Sequence, residues 1–305
     1  MANNAFQEML SVKFRRLLSG APDGVPPWLE IIAATDEPGL FTPDDAPWPV
    51  HAGFGTLVGG IRALLMQALH PGTLRGVAEH SRYEQDALGR LAGTIRWLTV
   101  TTFGSITAIQ NEANRVNRLH DRVKGEYETN AGETKTYRAA DPDLLLWVHI
   151  AFMESFLVCH QQYAWEPIPG GADAYIAQWS RSVKPLGLDN VPMSQAELNQ
   201  SIRDFLKDNI LRVDERTLDV VKFIKNPPLP KVASIVYKLL FQAAVVSLEP
   251  QFREMLQLKA PPKWIIKPAT RFILRAIRWG IGPDSPIEEA GRQRLIRIGA
   301  WSPTT

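Results

Sequence analysis

The sequence predicts an all-α protein, a single helical bundle with an irregular wrap on its N-terminal side. Three observations support this class. Apolar residues recur at steps of three and four along most of the chain, as on the buried face of a helix. The apolar–polar alternation of strands is nowhere sustained. No long polar linker divides the chain, so we expect one domain over residues 1–305.

Composition narrows the classes of function. The chain is 45% hydrophobic and 22% charged, and its net charge of +2 comes from mixed signs, which argues against a nucleic-acid partner. A lone cysteine, Cys159, excludes an intramolecular disulfide and a cysteine metal cluster. The sequence has neither a signal-peptide pattern nor an uninterrupted run of eighteen apolar residues. We expect a cytoplasmic protein without a transmembrane segment; peripheral membrane contact and oligomeric state stay open.

The N-terminal half begins with the wrap and continues with two helices. Residues Ala21 to Pro49 are proline-rich and lack periodicity, so we predict an extended segment over the surface. From Thr56 an apolar face indicates a helix that Pro71-Gly72 ends. Ser81-Arg-Tyr-Glu84 fits a capping box, which opens a second helix through Arg90, Thr94 and Trp97.

The next helix is predicted from Ser105, a favourable N-cap residue. Its apolar stripe advances by steps of three and four through Ile106, Ile109, Ala113, Val116, His120 and Val123. Gly125 is placed to end it.

The second half of the chain also favours helices. Asp141-Pro142 starts a helix that runs through Trp147, His149 and Phe156. After a loop at Pro167–Gly171, helical patterns continue near 196–224, 232–258 and 264–279.

Common catalytic motifs are missing from the sequence. It has no nucleophile elbow, no phosphate-binding glycine loop followed by lysine, and no paired-histidine zinc helix. The Glu-x-x-His pairs of di-iron bundles are missing too. Cys-x-x-Cys-His is also missing, which excludes a covalently attached haem of the c type.

Histidines are the remaining candidates for chemistry. His120 occupies a core-facing position where leucine would be ordinary, and a buried imidazole needs a hydrogen-bond partner or a metal. Two interpretations stay open: a core histidine bonded to a carbonyl, or an axial haem ligand. His149 and His70 compete for the second role. Arg90 and Thr94 share one helix face, which is either solvated or suited to a haem propionate or bound oxygen.

Six short motifs in fixed order resemble a known family. They are Gln67–Pro71, His80-Ser81, Arg90–Thr94, Phe103–Ser105, His120–Gly125 and Asp141–His149. They are similar to the catalytic domain of bacterial rubber oxygenases (latex clearing proteins) and of the fungal oxygenases that cut a prenyl chain in mycophenolic acid biosynthesis. The similar stretch covers about residues 50 to 190.

The resemblance implies a globin-like helical core around a non-covalent haem b. It implies that His120 is the proximal iron ligand and that Arg90 and Thr94 lie near the haem. This chain departs from the family at one position. Directly before that threonine, rubber oxygenases carry a lysine that can occupy the distal iron site, whereas this chain has Gly93. Since rubber oxygenases are also secreted, we do not expect polyisoprene to be the substrate.

The resulting hypothesis is a haem b oxygenase that uses dioxygen to oxidise or cleave a small apolar substrate, of isoprenoid or lipid type. In it, Arg90 and Thr94 act in catalysis, and His149 and His70 support the haem pocket. The first alternative is a haem carrier or gas sensor without turnover. The second is a helical interaction protein without a cofactor.

Overall fold

The computed structural model describes residues 11–12, 15–16, 21–80, 87–281 and 285–303, with residues 87–90 and 281 described by their backbone alone. The described part contains fourteen α-helices, one 3-10 helix and one two-stranded sheet, so the all-α prediction is confirmed. The elements in order are α1 (Leu29–Ala33), α2 (Pro47–Ala52), α3 (Gly55–Gln67), α4 (Pro71–His80), α5 (Ala87–Phe103), α6 (Ile106–His120), β1 (Lys124–Glu128), β2 (Thr134–Arg138), α7 (Pro142–Tyr163), α8 (Gly171–Trp179), the 3-10 helix (Ser180–Leu186), α9 (Gln195–Lys207), α10 (Glu215–Lys225), α11 (Lys231–Ser247), α12 (Pro250–Met255), α13 (Lys263–Ile281) and α14 (Pro286–Arg297).

The centre of the fold is the antiparallel pair of α3 and α7. The indole Nε1 of Trp147 on α7 donates to the carbonyl of Met66 at the end of α3, 3.1 Å away. At the other end, Gly55 of α3 lies against the backbone of Cys159. Helix α11 packs on α3, and α13 packs on both α11 and α7. The buried apolar residues of these helices form one continuous core.

The predicted wrap is partly helical. Residues 21–54 include the short helices α1 and α2, and the aromatic side chains of Trp28, Phe41 and Trp48 are buried in the core. Each of the two helices is five or six residues long, too short to show a periodic pattern in the sequence. The segment therefore stabilises the bundle by burying aromatic surface rather than lying over it as an extended chain.

The structure confirms some of the predicted helix boundaries and differs at others. The Ser105 hydroxyl accepts from the backbone N–H of Ala108 at 3.2 Å, which confirms the N-cap of α6. Helix α3 ends before Pro71, as predicted, but Pro71 then begins α4. The predicted capping box at Ser81–Glu84 lies outside the described residues.

A small antiparallel hairpin was not predicted. Strands β1 and β2 pair from Lys124 with Arg138 to Glu128 with Thr134. Gly125 was wrongly predicted to end the preceding helix; α6 ends at His120, and Gly125 lies within β1. A Cβ atom at Gly125 would lie 3.1 Å from the Tyr137 ring, so the glycine permits this tyrosine to cross the hairpin closely. Each strand buries only one residue, Tyr127 or Tyr137, which is too few to produce a visible alternation.

Helix α7 is long and apolar enough to cross a membrane by length and composition alone. In the described structure most of it is enclosed by other helices, and thirteen of its residues are buried. Its apolar character is therefore accounted for by its central place in the core.

Candidate functional site

Helices α5 and α6 form the hairpin that carries the motif residues. The guanidinium Nε of Arg96 on α5 donates to Glu112 on α6 at 2.8 Å, and the Glu112 side chain is 1% exposed. This ion pair fixes the register of the antiparallel hairpin. It places the N-terminal half of α5, with Arg90 and Thr94, level with the C-terminal half of α6, which ends at His120.

The three residues predicted to act on this hairpin are Arg90, Thr94 and His120. Arg90 lies in α5, and its side chain is outside the described part. Thr94 is half-buried. His120 is also half-buried, so it occupies the edge of the core rather than its interior. Of its predicted stripe, Ile109 and Ala113 are buried, whereas Ile106 is 46% exposed and faces solvent at the start of the helix.

The imidazole of His120 has a buried ring nitrogen that contacts no polar partner among the described residues. Among the described residues, no donor or acceptor lies within hydrogen-bond reach of its Nδ1 atom. Burial lowers the pKa of His120, against a smaller opposing effect of the Asp121 carboxylate. The ring is therefore neutral near pH 7, and no hydrogen bond to a described residue fixes its tautomer. Such a ring can offer a lone pair to a metal ion.

His149 has the same property deeper in the protein. It is buried on α7, and its Nε2 atom has no hydrogen-bond partner in the described part of the chain. Burial lowers the pKa of His149 to about 3. It shares a helix stripe with Phe152 and Phe156, on the side of α7 away from Trp147.

His70 has a structural role that its sequence position does not show. Its Nδ1 atom accepts the backbone N–H groups of Gly72, at 3.1 Å, and Thr73, at 3.4 Å, and so caps the first turn of α4. A neutral ring that accepts at Nδ1 carries its proton on Nε2. His70 is therefore in the wrong tautomer to bind iron through Nε2, although it is fully buried and its pKa is lowered to about 4 by burial.

Two further histidines are fixed by hydrogen bonds. The Thr102 hydroxyl donates to the carbonyl of Leu98, so it accepts from His51 Nδ1 at 2.8 Å, and His51 Nε2 accepts from the Tyr175 hydroxyl at 3.0 Å. His160 donates from Nε2 to the carbonyl of Glu166 at 2.9 Å. The satisfied His51 ring joins helices α2, α5 and α8, which is a structural role.

The helices around these residues leave space at two glycines. A Cβ atom at Gly60 on α3 or at Gly93 on α5 would meet no described atom within 4 Å. Near its C-terminal end, α5 carries Thr102, whose hydroxyl is hydrogen-bonded to His51 of α2. The His51 ring in turn lies 5.4 Å from the Phe156 ring of α7.

A buried ion pair between α3 and α7 was missed by the sequence analysis. Arg62 donates through both terminal nitrogens to the Glu154 carboxylate, through Nη1 also to the Ser155 hydroxyl at 2.8 Å, and through Nε to the Ser247 carbonyl at 3.4 Å. Burial raises the pKa of Glu154, and the Arg62 charge opposes that effect. The signal in the sequence was a single cation in α3 and, beyond the first turn of α7, a single anion, each within an apolar stretch.

The donor set fits a haem better than a metal ion held by side chains alone. The described residues contain no group of three histidine, cysteine, aspartate or glutamate side chains that could hold an ion. Haem iron needs only one or two axial side chains, and a neutral histidine with a free ring nitrogen supplies one. Among the described residues, His120, His149 and His160 each have a buried ring nitrogen without a partner, and in His160 it is Nδ1, which keeps its lone pair because Nε2 donates to Glu166. The unpartnered Nε2 of His70 carries the proton and therefore offers no lone pair.

Comparison with known proteins identifies the family of this chain. The family described as "ER-bound oxygenase mpaB/B'/Rubber oxygenase, catalytic domain" matches residues 48–280, which is more than half of the chain. The protein belongs to this family, and its class is therefore that of an oxygenase catalytic domain. The matched range includes all the candidate residues and extends through most of α13. No curated protein and no solved structure gives a significant match.

Proposed function

We propose that this protein is a haem b-dependent oxygenase, in which His120 would bind the haem iron and a small apolar molecule of isoprenoid or lipid type is the substrate. The observation that carries the proposal is the neutral, partly buried His120 ring, whose Nδ1 has no described partner, on the same hairpin as Arg90 and Thr94. Family membership supports the oxygenase class.

When bound, the haem supplies a redox-active iron that reacts with dioxygen. The chain's own contribution begins with burial, which keeps His120 and His149 neutral at physiological pH. The permanently charged, planar guanidinium of Arg90 would bind a propionate. The Thr94 hydroxyl would donate a hydrogen bond towards the reacting oxygen, and the apolar faces of α3, α5 and α7 would hold the substrate and exclude water.

A set of histidine variants tests the cofactor assignment. We expect the purified protein, produced with adequate iron and haem precursor, to show a Soret band that acid–acetone extraction removes. His120→Ala should lose most of the haem, while His149→Ala and His70→Ala should retain more. His80→Ala is the matched control, because His80 is exposed and its Nε2 pairs only with the Lys124 carbonyl among the described residues.

Two results would contradict the assignment. Full haem content in His120→Ala with loss in His149→Ala would assign the binding of the iron to His149 on α7 instead. A well-folded, colourless protein that does not bind added haemin would end the haem proposal itself.

Turnover separates the oxygenase from a carrier or gas sensor. We expect oxygen consumption with isoprenoid or lipid substrates, slowed by Thr94→Val at unchanged haem content, because that change removes only the hydroxyl. Thr107→Val on the exposed surface of α6 is the control. A haem protein that binds oxygen but consumes none with any such substrate would favour the carrier or sensor.

A further inference from the structure

The hydrogen bond between Tyr175 and His51 joins an oxidisable phenol to a base. The Tyr175 hydroxyl donates to His51 Nε2 at 3.0 Å. The other ring nitrogen, Nδ1, carries the proton, because the Thr102 hydroxyl already donates to the Leu98 carbonyl and can only accept from the ring. His51 Nε2 therefore directs its lone pair at the phenolic proton.

The pair is enclosed in the core. Tyr175 is fully buried, and His51 is 6% exposed. Burial raises the pKa of Tyr175 well above its usual value. Burial, with a smaller contribution from His160, lowers the pKa of His51 to about 3. Both groups are therefore neutral at physiological pH, with the proton on the phenol and a vacant acceptor on the imidazole.

Two other tyrosines of the core have a different acceptor. The Tyr163 hydroxyl donates to the Ala243 carbonyl at 2.8 Å, and the Tyr237 hydroxyl donates to the Ile224 carbonyl at 2.6 Å. Such an acceptor is all that a buried tyrosine needs for stability. A backbone carbonyl accepts a hydrogen bond but is too weak a base to take the proton, whereas the imidazole beside Tyr175 can take it.

A base matters when a phenol loses an electron. The oxidised phenol is a far stronger acid than an imidazolium with a pKa of about 3, so its proton passes to His51 Nε2 along the existing hydrogen bond. The products are a neutral tyrosyl radical and an imidazolium whose Nδ1–H still donates to Thr102. When one electron returns to the ring, the buried imidazolium gives the proton back, because a charge in the core is costly.

A row of aromatic rings leads from this pair towards the surface. Trp179 lies four residues after Tyr175 on α8, so the two side chains share a helix face. The Trp179 ring centroid is 4.2 Å from that of His51 and 5.8 Å from that of Phe41. The guanidinium of Arg181, which is partly exposed, lies 4.9 Å from the Phe41 ring. Rings in contact give an electron a short path out of the core.

We propose that Tyr175 and His51 form a proton-coupled redox pair, in which Tyr175 gives one electron to a strong one-electron oxidant and His51 holds the proton until an electron returns. Oxygenases react with dioxygen, and oxygen activation produces oxidants of this class. The pair would thus protect the core from oxidation that escapes the reaction. The proposal goes beyond the proposed function, and its test needs no haem.

Flash photolysis with ruthenium(III) tris-bipyridine, generated in solution with a sacrificial quencher, supplies such an oxidant to the whole protein. We expect a tyrosyl signal in the electron paramagnetic resonance spectrum of samples frozen after the flash. Tyr175→Phe should lose most of this signal. Tyr163→Phe is the matched control, because it removes an equally buried phenol that faces a carbonyl, and it should keep the signal. His51→Gln retains an acceptor for the hydroxyl but no base, so it should lose most of the signal too.

The parent protein supplies a measurement that depends on no variant. A radical at Tyr175 would accept a hydrogen bond from the His51 imidazolium, which lowers the largest component of the g-tensor at high field. A radical at Tyr163 or Tyr237 would have only a carbonyl beside it. A g-tensor without a hydrogen-bond donor would overturn the proposal, as would the absence of any tyrosyl signal. Equal losses in Tyr175→Phe and Tyr163→Phe, or a full signal in His51→Gln, would overturn it as well.

Discussion

Two neighbouring glycines of α3 allow the packing of the central helix pair to be measured. A Cβ atom at Gly59 would lie 2.7 Å from Cδ1 of the Phe156 ring and 3.3 Å from both the Phe156 Cα atom and the Ser155 carbonyl oxygen. A Cβ atom at Gly60 would meet no described atom within 4 Å. The contact at Gly59 involves a ring and two backbone atoms, so α3 and α7 must move apart to accept alanine.

The variants Gly59→Ala and Gly60→Ala both gain helix propensity, and at Gly59 a packing cost opposes that gain. Alanine in a helix interior stabilises by about 0.5–1 kcal/mol relative to glycine. At Gly60 this gain should appear alone. At Gly59 the overpacking costs about 1–3 kcal/mol, so the difference between the two variants isolates the packing term. For a chain of 305 residues, with an entropy of unfolding of about 2.1 cal/mol/K per residue, each kcal/mol of that difference corresponds to roughly 1.5 °C in Tm.

Urea unfolding followed by circular dichroism, with a thermal scan beside it, measures this difference. We expect a higher midpoint than the parent for Gly60→Ala, a lower one for Gly59→Ala, and the same urea dependence for all three proteins. Midpoints of the two variants that coincide would show that α3 and α7 do not approach as closely as the structure has them.

Three further predictions concern buried charge and the space beside α5. Burial lowers the pKa of both His51 and His149 to about 3. Because these pKa values lie below that of a free histidine, the stability that the two buried histidines contribute is present above pH 6.5 and is lost as the pH falls towards 3. At pH 5 each histidine should lower the free energy of unfolding by about 2 kcal/mol. His149→Leu should therefore weaken the pH dependence of urea unfolding. Arg62→Ala should destabilise by about 3–5 kcal/mol in the same assay, whereas Arg62→Met with Glu154→Leu should restore most of that loss. Gly93→Ala should raise the Tm of the haem-free protein by roughly 1–2 °C, since it gains helix propensity without a described clash, and a lower Tm would show that the space is filled.

The sequence predicts the helices well where a start signal and a long apolar pattern occur together. Helices α6 and α7 begin at Ser105 and Asp141 as predicted, because an N-cap serine and an Asp-Pro pair act locally. The hairpin β1–β2 could not be predicted, since its stability depends on the contact between Tyr127 and Tyr137, whose ring centroids lie 6.2 Å apart across the strands. Such contacts between separate segments leave no periodic pattern.

The candidate site is predictable to a similar degree. The sequence selects histidines, but not the hydrogen bonds that decide their tautomers. The position of His70, directly before Pro71, gives no indication that its Nδ1 caps α4. The partner of Arg62 is likewise ninety-two residues away on another helix, so only the fold shows that the two charges are paired.

The Arg62–Glu154 pair also bears on how the site is positioned. A buried ion pair costs desolvation that apolar residues of similar volume would avoid, so it is poorly explained by stability alone. Its geometry offers another explanation, because a planar guanidinium bound to a carboxylate, a hydroxyl and a carbonyl accepts one alignment of α3 on α7. His149 lies on α7 little more than one turn before Glu154. The pair therefore fixes both the height and the rotation of His149 in the core, whereas apolar contacts alone would tolerate a sliding of one helix along the other.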